Sequence, residues 1–110
     1  MDIDAQHVKT NLVHYNLWTT VSTHTTGGLT ILSGKPPQKL NIHDQENQLE
    51  WVMPIKFNID ITISQINFWF ESIEILSSSR PKRVTVGIIN DDGTIVYYFI
   101  HDGVVKPRQN

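Results

Sequence analysis

The sequence contains tyrosine, histidine and lysine residues, the types that a ribonuclease can combine for general acid–base catalysis. The tyrosines are Tyr15, Tyr97 and Tyr98, and the histidines stand at positions 7, 14, 24, 43 and 101. Tyr97 and Tyr98 fall in an apolar segment with strand-like alternation, where packing is the ordinary role of an aromatic ring. The spacing of these residues therefore indicates no compact acid–base set.

The sequence does not have the residue spacing that a metal site, a nucleotide-binding loop or a serine nucleophile requires. His7 and His14 stand two helical turns apart, too far to chelate one ion. Five residues separate Gly28 from Gly34, where a phosphate-binding P-loop has four, and Pro36 replaces the hydroxyl that would bind magnesium. No serine occupies a Gly-x-Ser-x-Gly turn, and the sequence contains no cysteine. We therefore expect no metal site, no cofactor and no catalytic nucleophile.

Arg80, Lys82 and Arg83 form the one basic cluster in the sequence. The net charge of −2 and the pI near 6.2 supply no general attraction to nucleic acid, so an RNA contact would have to come from a local patch such as this one. The cluster can equally be a solvated connection between a helix and a strand that aids solubility. Both interpretations stay open at this stage.

The composition predicts one domain over residues 1–110 with more sheet than helix. Val, Ile and Thr supply 33 of the 110 residues and Ala occurs once, a balance that favours pleated, half-buried surfaces. No apolar run approaches the length of a membrane span, and the first residues are acidic where a signal peptide would be basic. We therefore expect a soluble intracellular protein.

Two segments predict helices. Apolar residues recur on one helical face over residues 4–15. The segment 59–76 begins with strand-like alternation and continues with helical spacing. Thr62 and Gln65 match a capping box, in which each side chain accepts from the other residue's backbone N–H, so we favour a helix from Ile63 to Leu76.

Alternating β-branched residues predict the strands. These cover residues 16–26, 29–32, 49–55, 84–89 and 95–100, with turns at Gly27-Gly28 and Asn90–Gly93. Residues 33–48 contain many turn formers and few apolar side chains, which predicts a long exposed loop. Pro54 has no N–H group to donate to a neighbouring strand. We therefore expect either that its strand lies at an edge of the sheet or that Pro54 lies at the end of the strand, and not that it lies in the centre of the sheet.

The last hairpin is apolar on both faces, so both must be covered or one must be an interface. In a domain this small we favour the interface. Together these elements predict an α/β fold of the mixed α+β kind. It has about two helices and a C-terminal hairpin.

The segment from Gly87 to Tyr98, followed by Asp102-Gly103 and Pro107, resembles the C-terminal end of the tRNA-splicing endonuclease family. Within that family it is most similar to the small non-catalytic subunits of fungi. The segments Val8–Leu12, Trp18-Thr19 and Gly34–Leu40 share this resemblance, which covers nearly the whole chain. Its most specific part is the hairpin that reads Asp-Asp-Gly-Thr-Ile-Val-Tyr-Tyr.

The resemblance implies a compact nuclease-like fold with a mixed sheet, in which the C-terminal hairpin is used for dimerisation. It also implies that the chain is a scaffold in a heterotetramer of two catalytic and two structural subunits that excises introns from precursor tRNA. Catalytic family members resemble one another in a Tyr, a His and a Lys that comes shortly before the hairpin. Lys82 or Arg83 stands near the Lys position, but no tyrosine lies between positions 15 and 97 and no histidine between positions 43 and 101. Without the presumptive base and acid, the chain is expected not to cleave RNA.

The resemblance also implies two contact surfaces. The strand after the acidic turn pairs with its counterpart in the catalytic partner and falls on Thr94, Ile95, Val96, Tyr97, Tyr98, Phe99 and Ile100. The turn itself, Asp91, Asp92 and Gly93, docks into a basic cleft of a subunit in the opposite dimer. Judged from the residues alone, these three are equally an ordinary hairpin turn.

The resemblance further implies a location in the nucleus or on the cytosolic face of the mitochondrial outer membrane, without a membrane segment in this chain. In this interpretation precursor tRNA is bound by the endonuclease complex of which this chain is a subunit. Two rival functions remain, a stand-alone RNA-binding module that uses Arg80, Lys82 and Arg83, and a free-standing ribonuclease.

Overall fold

A computed structural model describes residues 2–40, 42–45 and 48–103 and contains one five-stranded sheet with a helix packed on each face. The elements are α1 (Ile3–His14), β1 (Thr19–Thr26), β2 (Leu29–Lys35), β3 (Glu50–Lys56), α2 (Ile63–Ser77), β4 (Arg83–Ile89) and β5 (Ile95–His101). The strands lie in sequence order across the sheet, with β3 and β4 parallel and the other neighbours antiparallel. The predicted α+β fold with a C-terminal hairpin is confirmed.

Helix α1 forms where helical spacing predicted it. The side chain of Asp2 accepts a hydrogen bond from the backbone N–H of Ala5 at 3.0 Å and so caps the first turn. Ala5, Val8 and Leu12 are buried along one face of the helix and pack against Leu32 and other residues of one sheet face. These three side chains belong to the smaller of the two apolar clusters, which lies between α1 and the sheet.

Helix α2 begins at the predicted capping box. The backbone N–H of Gln65 donates to Thr62 Oγ1 at 3.1 Å, and the backbone N–H of Thr62 donates to Gln65 Oε1 at 2.8 Å. The helix ends at Ser77, and the C-cap residue Ser78 adopts a left-handed conformation with φ of 65°. Trp69, Phe70 and other α2 side chains fill the larger apolar cluster on the opposite face of the sheet. The capping signal therefore identified α2 correctly where the alternation over residues 59–63 was ambiguous.

The expectation that Pro54 excludes a central strand is wrong, because β3 lies between β2 and β4. The β2–β3 pairing runs from Gly34 opposite Glu50 to Leu32 opposite Val52 and ends before it reaches Pro54. On the other side, β4 pairs along β3 beyond the proline. The second half of β3 is thus paired with β4 alone, which leaves room for a residue without an N–H group.

The predicted exposed loop over residues 33–48 is wrong in two respects. Strand β2 continues to Lys35, so residues 33–35 belong to the sheet, and Gly34 is buried. A Cβ atom on Gly34 would lie 3.0 Å from Val21 Cγ2 and 3.1 Å from Trp18 Cε3, so these side chains pack directly on its backbone. Asp44 is also buried, although its neighbours in sequence are turn formers. Strand β1, by contrast, is shorter than predicted and begins at Thr19.

The capping box provides a direct test of what holds α2. Thr62→Ala removes the side-chain acceptor and is expected to lower the free energy of unfolding by about 1 kcal/mol. Chemical denaturation followed by circular dichroism measures this change. Ser64→Ala, at an exposed position in the same turn, is the control and is expected to change stability by less than about 0.5 kcal/mol. Equal effects of the two substitutions would show that the box does not stabilise the helix.

Candidate assembly surface

Strand β5 is an edge strand, paired with β4 on one side and last in the sheet order. Large apolar side chains remain accessible along it: Val96 is 40% exposed, Tyr98 58% and Phe99 46%. Val96 and Tyr98 lie on the α2 face of the sheet, whereas Phe99 lies on the α1 face with Tyr97. The outer backbone edge is therefore bordered by apolar side chains on both faces, the arrangement that favours pairing with another strand.

The opposite edge of the sheet, β1, has different properties. Its sequence is TTVSTHTT, and most of its side chains are exposed hydroxyls. The pairing with β2 is interrupted by a bulge between Thr19 and Ser22, and Thr20 within it has a positive φ of 51°. Bulges and polar side chains discourage edge-to-edge association. Of the two edges, β5 is the one suited to bind a partner strand.

The acidic turn between β4 and β5 is held by its own hydrogen bonds. The backbone N–H of Asn90 donates to the carbonyl of Thr94 at 2.8 Å, and Asp92 Oδ1 accepts from the backbone N–H of Thr94 at 3.0 Å and from its hydroxyl at 2.7 Å. These bonds from Thr94 hold the pKa of Asp92 below its usual value. Gly93 supplies the required positive φ of 88°. Asp91 and Asp92 are thus exposed carboxylates on a preorganised turn.

Tyr97 connects β5 to α1. Its hydroxyl donates to Asn11 Oδ1 at 2.6 Å, and the same oxygen accepts from Asn16 Nδ2 at 2.8 Å. Burial raises the pKa of Tyr97 to about 12, so the phenol stays protonated near neutral pH and acts as a donor. Sequence reasoning missed this contact, because the residues it joins are 86 positions apart.

Arg83 is the centre of a buried ion cluster. Its Nη2 donates to Glu50 Oε2 at 2.8 Å and its Nη1 to Asp44 Oδ1 at 3.2 Å. The hydrogen bonds that Arg83 donates to Asp44 and Glu50 raise its pKa, so the side chain remains charged although it is only 7% exposed. The guanidinium carbon also lies 5.1 Å from the centroid of the Phe99 ring. The cluster thus connects Asp44, which follows β2, with the first residues of β3 and β4 and with Phe99 near the end of β5.

The three residues of the predicted basic cluster do not form one surface. Arg83 is buried on its two carboxylates and offers no group to RNA in this structure. Arg80 is half-buried: its Nε donates to Asp102 Oδ2 at 2.9 Å, and its guanidinium carbon lies 5.3 Å from the Phe70 ring centroid. Lys82 is exposed. A contact with RNA through Arg80 and Lys82 stays a prediction.

Among the residues that the structure describes, no group of three or more His, Cys, Asp or Glu side chains is placed to hold a metal ion. His24 forms a hydrogen bond between its Nε2 and Ser33 Oγ at 2.7 Å and packs at a tilt against Trp51, with ring centroids 5.2 Å apart. Over the same described ranges, no helix is both long and apolar enough to cross a bilayer.

A family model described as Sen15 protein matches residues 7–110. The chain belongs to the Sen15 family. The family resemblance predicted from the hairpin and the N-terminal segments is therefore confirmed.

Named relatives of this Sen15 chain come from three fungi. The tRNA-splicing endonuclease subunit SEN15 of Eremothecium gossypii is 35% identical over 106 residues, which is 94% of this chain and 87% of that protein. The probable tRNA-splicing endonuclease subunit tsp-1 of Neurospora crassa is 29% identical over 94% of this chain and 64% of its own length. The probable tRNA-splicing endonuclease subunit sen15 of Schizosaccharomyces pombe is 35% identical over 75 residues, 59% of this chain and 52% of that protein.

The buried ion cluster of this Sen15 chain is predicted to contribute to the stability of the fold. Arg83→Ala removes the buried guanidinium that Asp44 and Glu50 share and is expected to lower the free energy of unfolding by about 3–5 kcal/mol. Lys82→Ala, the exposed neighbour, is the control and is expected to change it by less than about 0.5 kcal/mol. Denaturant unfolding of both variants makes the comparison, and a mild effect of Arg83→Ala would show that the cluster does not hold the fold.

Proposed function

We propose that this chain is a non-catalytic structural subunit of a tRNA-splicing endonuclease. Its relatives carry the name of that enzyme's subunits, which supports a role in tRNA splicing. The observation that supports the structural role is the edge of β5, where apolar side chains border a backbone edge that no other described strand pairs with. In this proposal the edge pairs with a catalytic subunit, and two such heterodimers form the heterotetramer that excises introns from precursor tRNA.

Pairing along β5 would cover apolar side chains that the described part of the chain leaves exposed. A strand added at this edge satisfies the outer backbone groups by hydrogen bonding. It also brings the partner's side chains against Val96 and Tyr98 on one face and Phe99 on the other. Aromatic residues at the centre of an interface contribute a large share of binding energy. Strand β5 is therefore suited to form a stable, apolar interface with a partner subunit.

The tyrosines support the assignment of catalysis to the partner. A general base works best when its pKa lies near the working pH, and Tyr97, with a pKa of about 12 and its hydroxyl on Asn11, does not meet that condition. Tyr15 stands just after α1 and is 80% exposed to solvent, so water has access to its side chain. The sequence has no tyrosine between these two positions. We therefore assign the acid–base chemistry to the catalytic subunits.

The acidic turn is proposed as the contact between heterodimers. Asp91 and Asp92 are exposed, and hydrogen bonds within the turn fix its backbone before any partner binds. A preformed pair of negative charges can enter a basic cleft with little loss of conformational freedom. The rival role of a stand-alone RNA-binding module is less well supported, because Arg83, one of the three cations it would use, is buried.

Charging the edge strand tests the pairing. Val96→Lys combined with Tyr98→Lys is expected to weaken the heterodimer with the co-expressed catalytic subunit by at least about tenfold, because two cations would be desolvated at its centre. Copurification and analytical ultracentrifugation measure the loss. Thr23→Lys with Thr25→Lys, on exposed positions of the β1 edge, is the matched control and should leave assembly intact. If both pairs of substitutions leave the heterodimer unchanged, β5 is not the interface.

Neutralising the acidic turn tests the second contact. Asp91→Asn combined with Asp92→Asn keeps the turn's acceptor oxygens but removes both charges, so native mass spectrometry is expected to show heterodimers in place of heterotetramers. Added salt should act in the same direction. Asp60→Asn with Glu71→Gln changes the net charge equally at exposed positions elsewhere and serves as the control. Intact heterotetramers from the turn variant would refute the docking role.

A further inference from the structure

An open hollow of about 320 Å³ lies beside the acidic turn, where the parallel strands β3 and β4 end next to each other. Its border consists of Lys56, Phe57, Asn58, Ile89, Asn90 and Asp91. Asp91 belongs both to the turn and to this border. The hollow is therefore continuous with the surface proposed to contact the opposite heterodimer, and a group that binds the turn lies within reach of it.

Phe57 gives the hollow an exposed aromatic ring. The residue follows β3 directly, and its side chain is 49% exposed. Its backbone N–H donates to the carbonyl of Ile89 at 3.0 Å, so the segment after β3 is fixed against the residue that precedes the turn. Phe57 is thus held beside the acidic turn before any partner binds, which lowers the entropy that a contact with its ring would cost.

Side chains with acceptor oxygens form another part of the border. Asn58 and Asp91 are exposed and Asn90 is half-buried, so all three are accessible to an incoming group. The amide nitrogen of Asn90 donates to Thr94 Oγ1 at 3.0 Å, which leaves its amide oxygen as the acceptor. A carboxylate, two amide oxygens and an aromatic ring together suit a planar cation that has several N–H donors.

We propose that this hollow receives an arginine side chain of the subunit into which the acidic turn docks, with its guanidinium on the Asp91 carboxylate and against the Phe57 ring. The inference rests on the proposed docking of the turn. A guanidinium has its N–H donors in one plane, pairs with a carboxylate through two parallel hydrogen bonds and stacks on aromatic rings. A lysine ammonium lacks this planar shape, so the ring and the acceptors favour arginine.

Lys56 is the residue of the border that opposes a cation. It is exposed at the end of β3, and the long stem of a lysine allows the ammonium to stay in solvent away from the hollow. Its charge still repels an incoming arginine. Removal of this cation is therefore expected to strengthen assembly, which an apolar occupant would not produce. RNA is disfavoured as the occupant because Asp91 and Asp92 repel phosphate groups.

The first experiment measures the dissociation of heterotetramers of the co-expressed subunits into heterodimers by analytical ultracentrifugation at several salt concentrations. Lys56→Gln is expected to lower the dissociation constant about two- to threefold at low salt, and the difference should disappear as salt is added. Phe57→Leu, which keeps an apolar side chain but removes the ring, is expected to raise it about two- to fivefold for each contact. An unchanged or higher constant for Lys56→Gln, or an unchanged one for Phe57→Leu, would overturn the proposal.

Two matched controls accompany these variants. Lys82→Gln, just before β4, removes the same charge at an exposed position near the other end of that strand. Tyr15→Leu removes an aromatic ring that is 80% exposed just after α1. Both should leave the dissociation constant unchanged. If Lys82→Gln strengthens assembly as much as Lys56→Gln, the effect belongs to the net charge of the chain, which refutes a cation in the hollow.

The second experiment identifies the occupant with phenylglyoxal, a reagent that modifies accessible guanidinium groups. An arginine of the opposite heterodimer should be protected in the heterotetramer and reactive in the free heterodimer, and peptide mass mapping locates it. In heterotetramers that carry Phe57→Leu the same arginine should regain reactivity, because the ring no longer covers one face of the guanidinium. If no arginine shows protection that depends on Phe57, the hollow has a different occupant and the proposal fails.

These outcomes separate the hollow from the turn. If Asp91→Asn with Asp92→Asn abolishes the heterotetramer but Lys56→Gln and Phe57→Leu leave its dissociation constant unchanged, the hollow takes no arginine, and the proposed docking of the turn stands. If none of these substitutions affects assembly, both proposals fail.

Discussion

The buried guanidinium of Arg83 is the interaction on which much of this structure depends. A charge at this depth is tolerated only when it is paired and hydrogen bonded, and Asp44 and Glu50 provide that pairing from two separate segments. Asp44, which follows β2 in a part of the sequence with few apolar side chains, is thereby fixed to the sheet. Because Arg83 also lies against Phe99, the same group sets the position of the exposed ring on β5.

The two edges of the sheet show how one fold can have a closed side and an open side. Along β1, hydroxyl side chains and a bulge near Thr20 protect the backbone edge. Along β5, the regular pairing with β4 extends from Ile95 to His101, and apolar side chains border the outer edge. A small domain is more stable when both edges of its sheet are covered or protected, unless one of the edges binds a partner. The contrast between the edges is therefore more informative than either edge alone.

Local signals in the sequence predicted the elements well, and long-range contacts account for the errors. The capping box at Thr62 and the turn at Gly93 depend on residues within four positions of each other, so they are visible in the sequence. The burial of Asp44 depends on Arg83, 39 positions away, and no local pattern reveals it. The position of Pro54 was predicted wrongly because the first half of β3 pairs with strands on both sides, whereas the half that contains Pro54 pairs with β4 alone.

The contact between Tyr97 and Asn11 explains how an edge strand with one neighbour keeps its alignment. Edge strands tend to open locally because half of their backbone groups face solvent. Here α1 lies across the sheet, and the phenol of Tyr97 reaches Asn11 at 2.6 Å, which ties β5 to a helix packed on the sheet face. Ile95 packs against the same apolar cluster as α1. These contacts keep β5 extended without pairing its outer edge to another described strand, so under the proposed pairing a partner strand would meet a surface that is already ordered within the domain.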